Sequence, residues 1–95
     1  MKFSVPRPNL IESDLGFSVE VLGRTGMRYA EGGRSIFVDS EVLAKPGAMA
    51  LWAETIKRWD PPHDAEVGSD DRARIIENIR QAFESQGYEL QVIGS

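Results

Sequence analysis

The chain has no cysteine and a single histidine, His63, in 95 residues. Without thiols there is no disulfide framework, no thiolate metal site and no cysteine nucleophile, a composition that fits the cytosol. With one imidazole, a zinc site would have to combine His63 with carboxylates such as Asp60, Asp64 or Glu66. Ligands crowded into so short a loop rarely converge unaided, so neither a metal nor any other cofactor is expected. Long apolar runs are missing too. The stretch from Ala48 to Ala53 is far too short to span a bilayer, and the opening residues Met1-Lys2-Phe3-Ser4-Val5-Pro6 carry no apolar core of a secretion signal. Nor is there a basic excess: eleven Lys and Arg face fifteen Asp and Glu, for a net charge of −4. That balance argues against a sequence-independent grip on nucleic-acid phosphates and favours a basic partner. The expectation is a cytoplasmic chain with no membrane or nucleic-acid partner.

What is present describes an ordinary globular sequence, 41% hydrophobic and 27% charged. At this length one domain over residues 1–95 is expected, with a limited core and little room for a cavity. Residues 1–16, with Pro6, Pro8 and Gly16, read as an extended lead-in, with one helical turn around residues 9–14. From Phe17 the pattern alternates: Phe17, Val19 and Val21 against Ser18, Glu20 and Leu22, as a half-buried strand requires. A second strand is expected over residues 27–31, and Gly32-Gly33 supplies a tight hairpin into a third over 34–43, where Ile36 and Val38 oppose Phe37 and Asp39. Lys45-Pro46-Gly47 turns the chain into a fourth strand over 48–56.

The run Lys57-Arg58-Trp59-Asp60-Pro61-Pro62 marks the change from strands to helix. Two prolines cannot continue a ladder, so an extended connection follows as far as Gly68. Ser69 is placed to cap a helix whose first turn holds Asp70 and Asp71. Between residues 70 and 86, Ala73, Ile76, Ile79, Ala82 and Phe83 form an apolar stripe with Ile75 at its margin, leaving Arg72, Arg74, Glu77, Arg80 and Glu84 to solvent. Gly87 stops the helix, and residues 88–93 alternate as a last strand. The predicted class is α+β in the order β-β-β-β-α-β, an antiparallel meander with one helix packed on a sheet face.

Few residues suggest chemistry. There is no Gly-x-Ser-x-Gly elbow, and the serines fall at turns or caps. Glu20 with Glu41 or Asp39 could pair across strands as acid and base, or simply form the wet face of the sheet. The glycines mark turns and do not form a phosphate loop, and Asp70 and Asp71 would repel a phosphate from the helix start. The strongest local signal is an imbalance of charge. Between Trp59 and Arg72 stand Asp60, Asp64, Glu66, Asp70 and Asp71, with no lysine or arginine. This segment can be read as an acidic face for a basic partner, anchored by Trp59 or His63, because aromatic residues dominate interface hot spots. The favoured reading of Trp59 is structural: the same charges serve the helix start and loop solvation, with Trp59 packed under Pro61 and Pro62.

The run Glu54-Thr55-Ile56-Lys57-Arg58-Trp59-Asp60-Pro61-Pro62, the acidic spacer, the segment Asp71-Arg72-Ala73-Arg74-Ile75-Ile76-Glu77-Asn78-Ile79 and the closing Gly87-Tyr88-Glu89-Leu90 together resemble the immunity protein seventy-four type of bacterial polymorphic-toxin systems. The likeness runs from about residue 17 and is best from Ala48 onward. It implies a non-enzymatic cytoplasmic protein that binds and blocks a cognate toxin domain. The family has no catalytic residues to carry over, and its characteristic Trp and Pro positions correspond to Trp59, Pro61 and Pro62. On this reading the partner-binding candidates are Trp59, Asp60, His63, Asp64 and Glu66. Two rivals are a small ligand-binding or enzymatic domain using sheet-face carboxylates, and a homodimer paired through the strand at residues 88–93.

Overall fold

The computed structural model describes residues 2–94. Across them the order is β1 (Phe3–Arg7), β2 (Leu10–Ser13), β3 (Phe17–Val21), β4 (Thr25–Glu31), β5 (Arg34–Val42), β6 (Ala48–Trp52), a 3-10 turn (Ala53–Thr55), α1 (Ser69–Ser85) and β7 (Glu89–Ile93). The strands of the described residues form one seven-stranded sheet in sequence order, with β1 and β7 at its edges. The α+β class is the expected one, but the sheet is larger than expected and mixed.

Residues 3–13 are strands, not an extended lead-in with a helical turn over residues 9–14. β1 folds back on β2, and β2 joins β3 through pairs such as Ile11 with Val19. Proline excludes a strand only where its N–H is needed. β1 lies at the sheet edge with its register interrupted between Ser4 and Arg7, so Pro6 is tolerated. Asn9 takes the left-handed conformation in the turn, at φ 70°.

The second difference lies at the other edge. β6 and β7 run parallel, with Met49 opposite Leu90 and Leu51 opposite Val92. Neighbouring strands joined through a helical crossover can share a direction, which a short hairpin loop forbids. β6 also ends at Trp52 and does not run on to residue 56. There the Thr55 hydroxyl donates to the Trp52 carbonyl at 2.7 Å, and the Ile56 N–H donates to the Ala53 carbonyl at 3.1 Å, closing a tight turn.

The expected Gly32-Gly33 hairpin is present. Both glycines have positive φ, 57° and 80°, and Glu31 pairs directly with Arg34 across them. This is the backbone a two-residue loop needs to match the strand twist.

The helix is capped one residue earlier than predicted. Gly68 is the N-cap and Ser69 the first helical residue, with no side-chain capping bond. Asp70 and Asp71 occupy the first turn, where the helix dipole favours them. The buried side chains are Ile75, Ile79, Ala82 and Phe83, while Ala73 is exposed. The spacing of that set, at i, i+4, i+7 and i+8, buries larger side chains than a stripe through Ala73, so Ile75 sits at its centre and not at its margin. Arg72 is half-buried, and its Nε donates to the Ile56 carbonyl at 3.0 Å. The C-terminus closes with Tyr88 N–H on the Phe83 carbonyl at 2.9 Å and Gly87 N–H on the Glu84 carbonyl at 3.0 Å. The Tyr88 and Phe83 rings meet edge-on at 6.3 Å, completing a Schellman stop at Gly87.

α1 approaches β7 at one end of the sheet and β2 and β3 near the other, so the strands curl over it. Its stripe joins Val19, Met27, Tyr29, Ile36, Val38 and Leu51 in one core. Among the described residues the opposite face of the sheet carries no helix.

One contact on that outer face is unusually tight. Gly26, at φ +86°, lies in a bulge between Thr25 and Met27, and a Cβ there would stand 2.6 Å from Cε2 of the Phe37 ring. Gly26→Ala is expected to destabilise the fold by more than about 1 kcal/mol, because both backbone and contact oppose it. Adding Phe37→Ala relieves the collision and should recover part of the loss, as urea denaturation of the single and double variants would show.

Candidate functional site

The acidic connection is not a loose loop. Lys57 accepts from the Val67 N–H at 2.8 Å, the Trp59 N–H donates to Ala65 at 2.8 Å, and Arg58 bridges Glu66, so residues 57–67 form a small antiparallel hairpin. The Asp60 N–H donates to the Ser35 carbonyl at 2.8 Å, fastening this hairpin to β5. Pro61, Pro62, His63 and Asp64 make up its exposed tip.

Trp59 does not lie on that surface. It is 1% exposed, its ring is 6.5 Å from that of Tyr29, and the Arg34 guanidinium lies 4.1 Å over its ring. The indole is therefore part of the core, sealed by a cation against its negative π face. Its N–H is buried without a hydrogen-bond partner. Of the residues proposed to meet a partner, the hairpin brings Asp60, His63, Asp64 and Glu66 together and takes Trp59 away. Asp64 is partly neutralised, since Arg58 donates to its backbone oxygen at 2.6 Å and lies 3.7 Å from its carboxylate. Asp60 is half-buried, and its carboxylate accepts from the Phe37 N–H at 3.5 Å. No group of three or more His, Cys, Asp or Glu able to hold a metal occurs among the described residues.

The sheet-face carboxylates do not converge. Glu20 lies on β3 and Asp39 and Glu41 on β5, with β4 between them, so their strands are about 9–10 Å apart. Glu20 is also held by Arg7 at 2.8 Å and Arg28 at 3.7 Å. A polar cluster absent from the sequence-based candidates forms instead where α1 meets the sheet. The Tyr29 hydroxyl donates to Glu31 at 2.6 Å and accepts from Asn78 at 2.8 Å, while Arg74 holds Glu31 at 2.9 Å and Asp71 at 2.7 Å. It lines a shallow depression of about 340 Å³ beside Leu15 and Gly16. Burial, reinforced by the bond to Glu31, pushes the Tyr29 hydroxyl well above its ordinary range. The bonds to Asp71 and then Glu31 hold the Arg74 guanidinium more firmly protonated. Each group is engaged, so the cluster fastens helix to sheet and does not present a free base. Tyr29 and Glu31 lie two apart on β4 and Arg74 and Asn78 one turn apart on α1, but the two pairs meet only through strand-to-helix packing, which left no local signal.

Fold and surface together define a small α+β domain without a convergent catalytic constellation among its described residues, marked by an acidic hairpin beside an uncovered sheet face. The family model for Immunity protein 74 matches residues 18–93, and the chain belongs to that family of immunity proteins. Neither a curated protein nor a solved structure matches the chain. The match begins in β3, so the β1–β2 hairpin lies outside it. No helix among the described residues is long and apolar enough to cross a membrane.

Two measurements test this arrangement. Trp59→Ala is expected to cost about 3 to 5 kcal/mol of stability in urea denaturation, as for other buried aromatic truncations. A deprotonated Tyr29 is disfavoured in the fold, so its contribution is complete below the ordinary tyrosine pKa of about 10 and declines as pH rises above it. Stability followed from neutral pH to above that value should therefore fall more steeply for the native chain than for Tyr29→Phe.

Proposed function

We propose that this chain is a non-enzymatic immunity protein that neutralises a cognate toxin domain by direct contact in the cytoplasm. The family membership carries this reading. The geometry supports it through the acidic hairpin, which carries His63 and Asp64 at its tip and Asp60 and Glu66 on its arms and is pinned to β5 through Asp60, an arrangement that is already ordered before a partner arrives. The carboxylates attract a basic toxin surface and accelerate encounter, and the buried Trp59 keeps the tip in place without touching the partner.

Co-expression with the toxin domain encoded beside this chain's gene provides the test. Cells carrying both are expected to grow, and cells carrying the toxin alone to stop; equal killing in the two cultures would overturn the reading. Reversal of Asp60, Asp64 and Glu66 to lysine should slow association by about tenfold or more at low salt and flatten its salt dependence. Stopped-flow mixing across a salt series measures both effects, and an unchanged thermal midpoint confirms that the variant is folded.

A further inference from the structure

An interface usually has an apolar centre within a polar rim, and the burial of Trp59 removes the aromatic residue of the acidic hairpin from that role. The outer face of the sheet supplies another. Phe37 points away from the core on β5 and is 47% exposed, its ring lying over Gly26. Trp52 follows Leu51, whose partner is Ser40 on the inner face, so alternation brings the half-buried Trp52 out on the same side as Phe37 and Asp39.

Charge divides this face into two sectors. Toward β1, Arg7 and Arg28 neutralise Glu20, Arg28 doing so from the position on β4 directly opposite Phe37. Around Phe37 and Trp52, the carboxylates of Asp39, Glu41, Glu54 and Asp60 form no ion pair among the described residues. Arg24 is the cation at the Glu41 end, where both line one depression, and it forms no ion pair there either. The half of the face with exposed aromatic surface thus also holds four carboxylates outside any ion pair, against Arg24 at one end and an Arg28 already engaged by Glu20. It is continuous with the hairpin, because the Asp60 carboxylate meets the Phe37 N–H at 3.5 Å.

We infer that the toxin docks on this outer sheet sector, with Phe37 and Trp52 as its apolar centre and Asp39, Glu41, Glu54 and Asp60 as a rim for lysine and arginine side chains of the partner. The inference rests on the proposed immunity function and assigns the surface that performs it. The partner's matching face is basic around an apolar patch, which pairs each exposed carboxylate without burying an uncompensated charge.

The test uses the full chain and the toxin domain encoded beside its gene, titrated against each other by calorimetry. Three forms are compared: native, Phe37→Ala combined with Asp39→Lys and Glu41→Lys, and a control with Glu77→Lys and Glu84→Lys on the solvent side of α1. The first variant is expected to bind about 100-fold or more weakly, with the control within a few-fold of native. Circular dichroism melting shows that each variant is folded; if the triple variant does not fold, Asp39→Lys with Glu41→Lys alone is used, with at least tenfold weakening expected. Native-like binding by the outer-face variants overturns this surface while leaving the immunity function standing. Failure of the native chain to bind overturns both. A shift of the free native chain from dimer to monomer on Phe37→Ala, seen by light scattering, would assign the sector to a second copy of this chain and overturn the inference.

Discussion

The burial of Trp59 is the constraint on which the arrangement depends. The chain has to leave an open sheet after β6 and later return beside it, and the indole fixes the route. Held near Tyr29 and covered by Arg34, it draws residues 57–67 against β5 and commits the following residues to the inner side of the sheet. A ring of that size buries enough apolar surface to order a segment that has two prolines and few other anchors. The same placement leaves the hairpin tip outside, where its charges face solvent.

From that anchor the two sides of the sheet acquire different tasks. The inner side is closed by α1 through Ile75, Ile79, Ala82 and Phe83, and the polar cluster of Tyr29, Glu31, Arg74 and Asn78 sets how the helix lies across the strands. In a chain this short, that leaves no second layer for the outer side. Phe37 and Trp52 therefore stand where a sheet ordinarily meets water, beside carboxylates that form no ion pair among the described residues. Its charges spread along strands and do not converge as the polar groups of a small-molecule pocket do.

The family match covers β3 to β7, including α1 and the acidic hairpin, while the β1–β2 hairpin lies outside it. That hairpin extends the sheet beyond β3 and contributes Ile11 to the core, so it occupies an edge that would otherwise expose β3 to solvent.

Local patterns in the amino-acid sequence determined the alternating strands from Phe17 to Val42, the Gly32-Gly33 hairpin, the helix with its stop at Gly87, the acidic segment after Trp59 and the family resemblance. Each rests on residues close together in the chain, where side-chain period, backbone freedom and composition act directly. Tertiary structure alone decided the rest. Pro6 and Pro8 could join a hairpin because β1 lies at an edge; β7 runs parallel to β6 because the chain crosses through a helix; and the helix turned to bury Ile75 in preference to Ala73. Trp59 went to the core, because whether that ring is buried depends on what the strands and the Arg34 guanidinium place around it, and no local spacing encodes that.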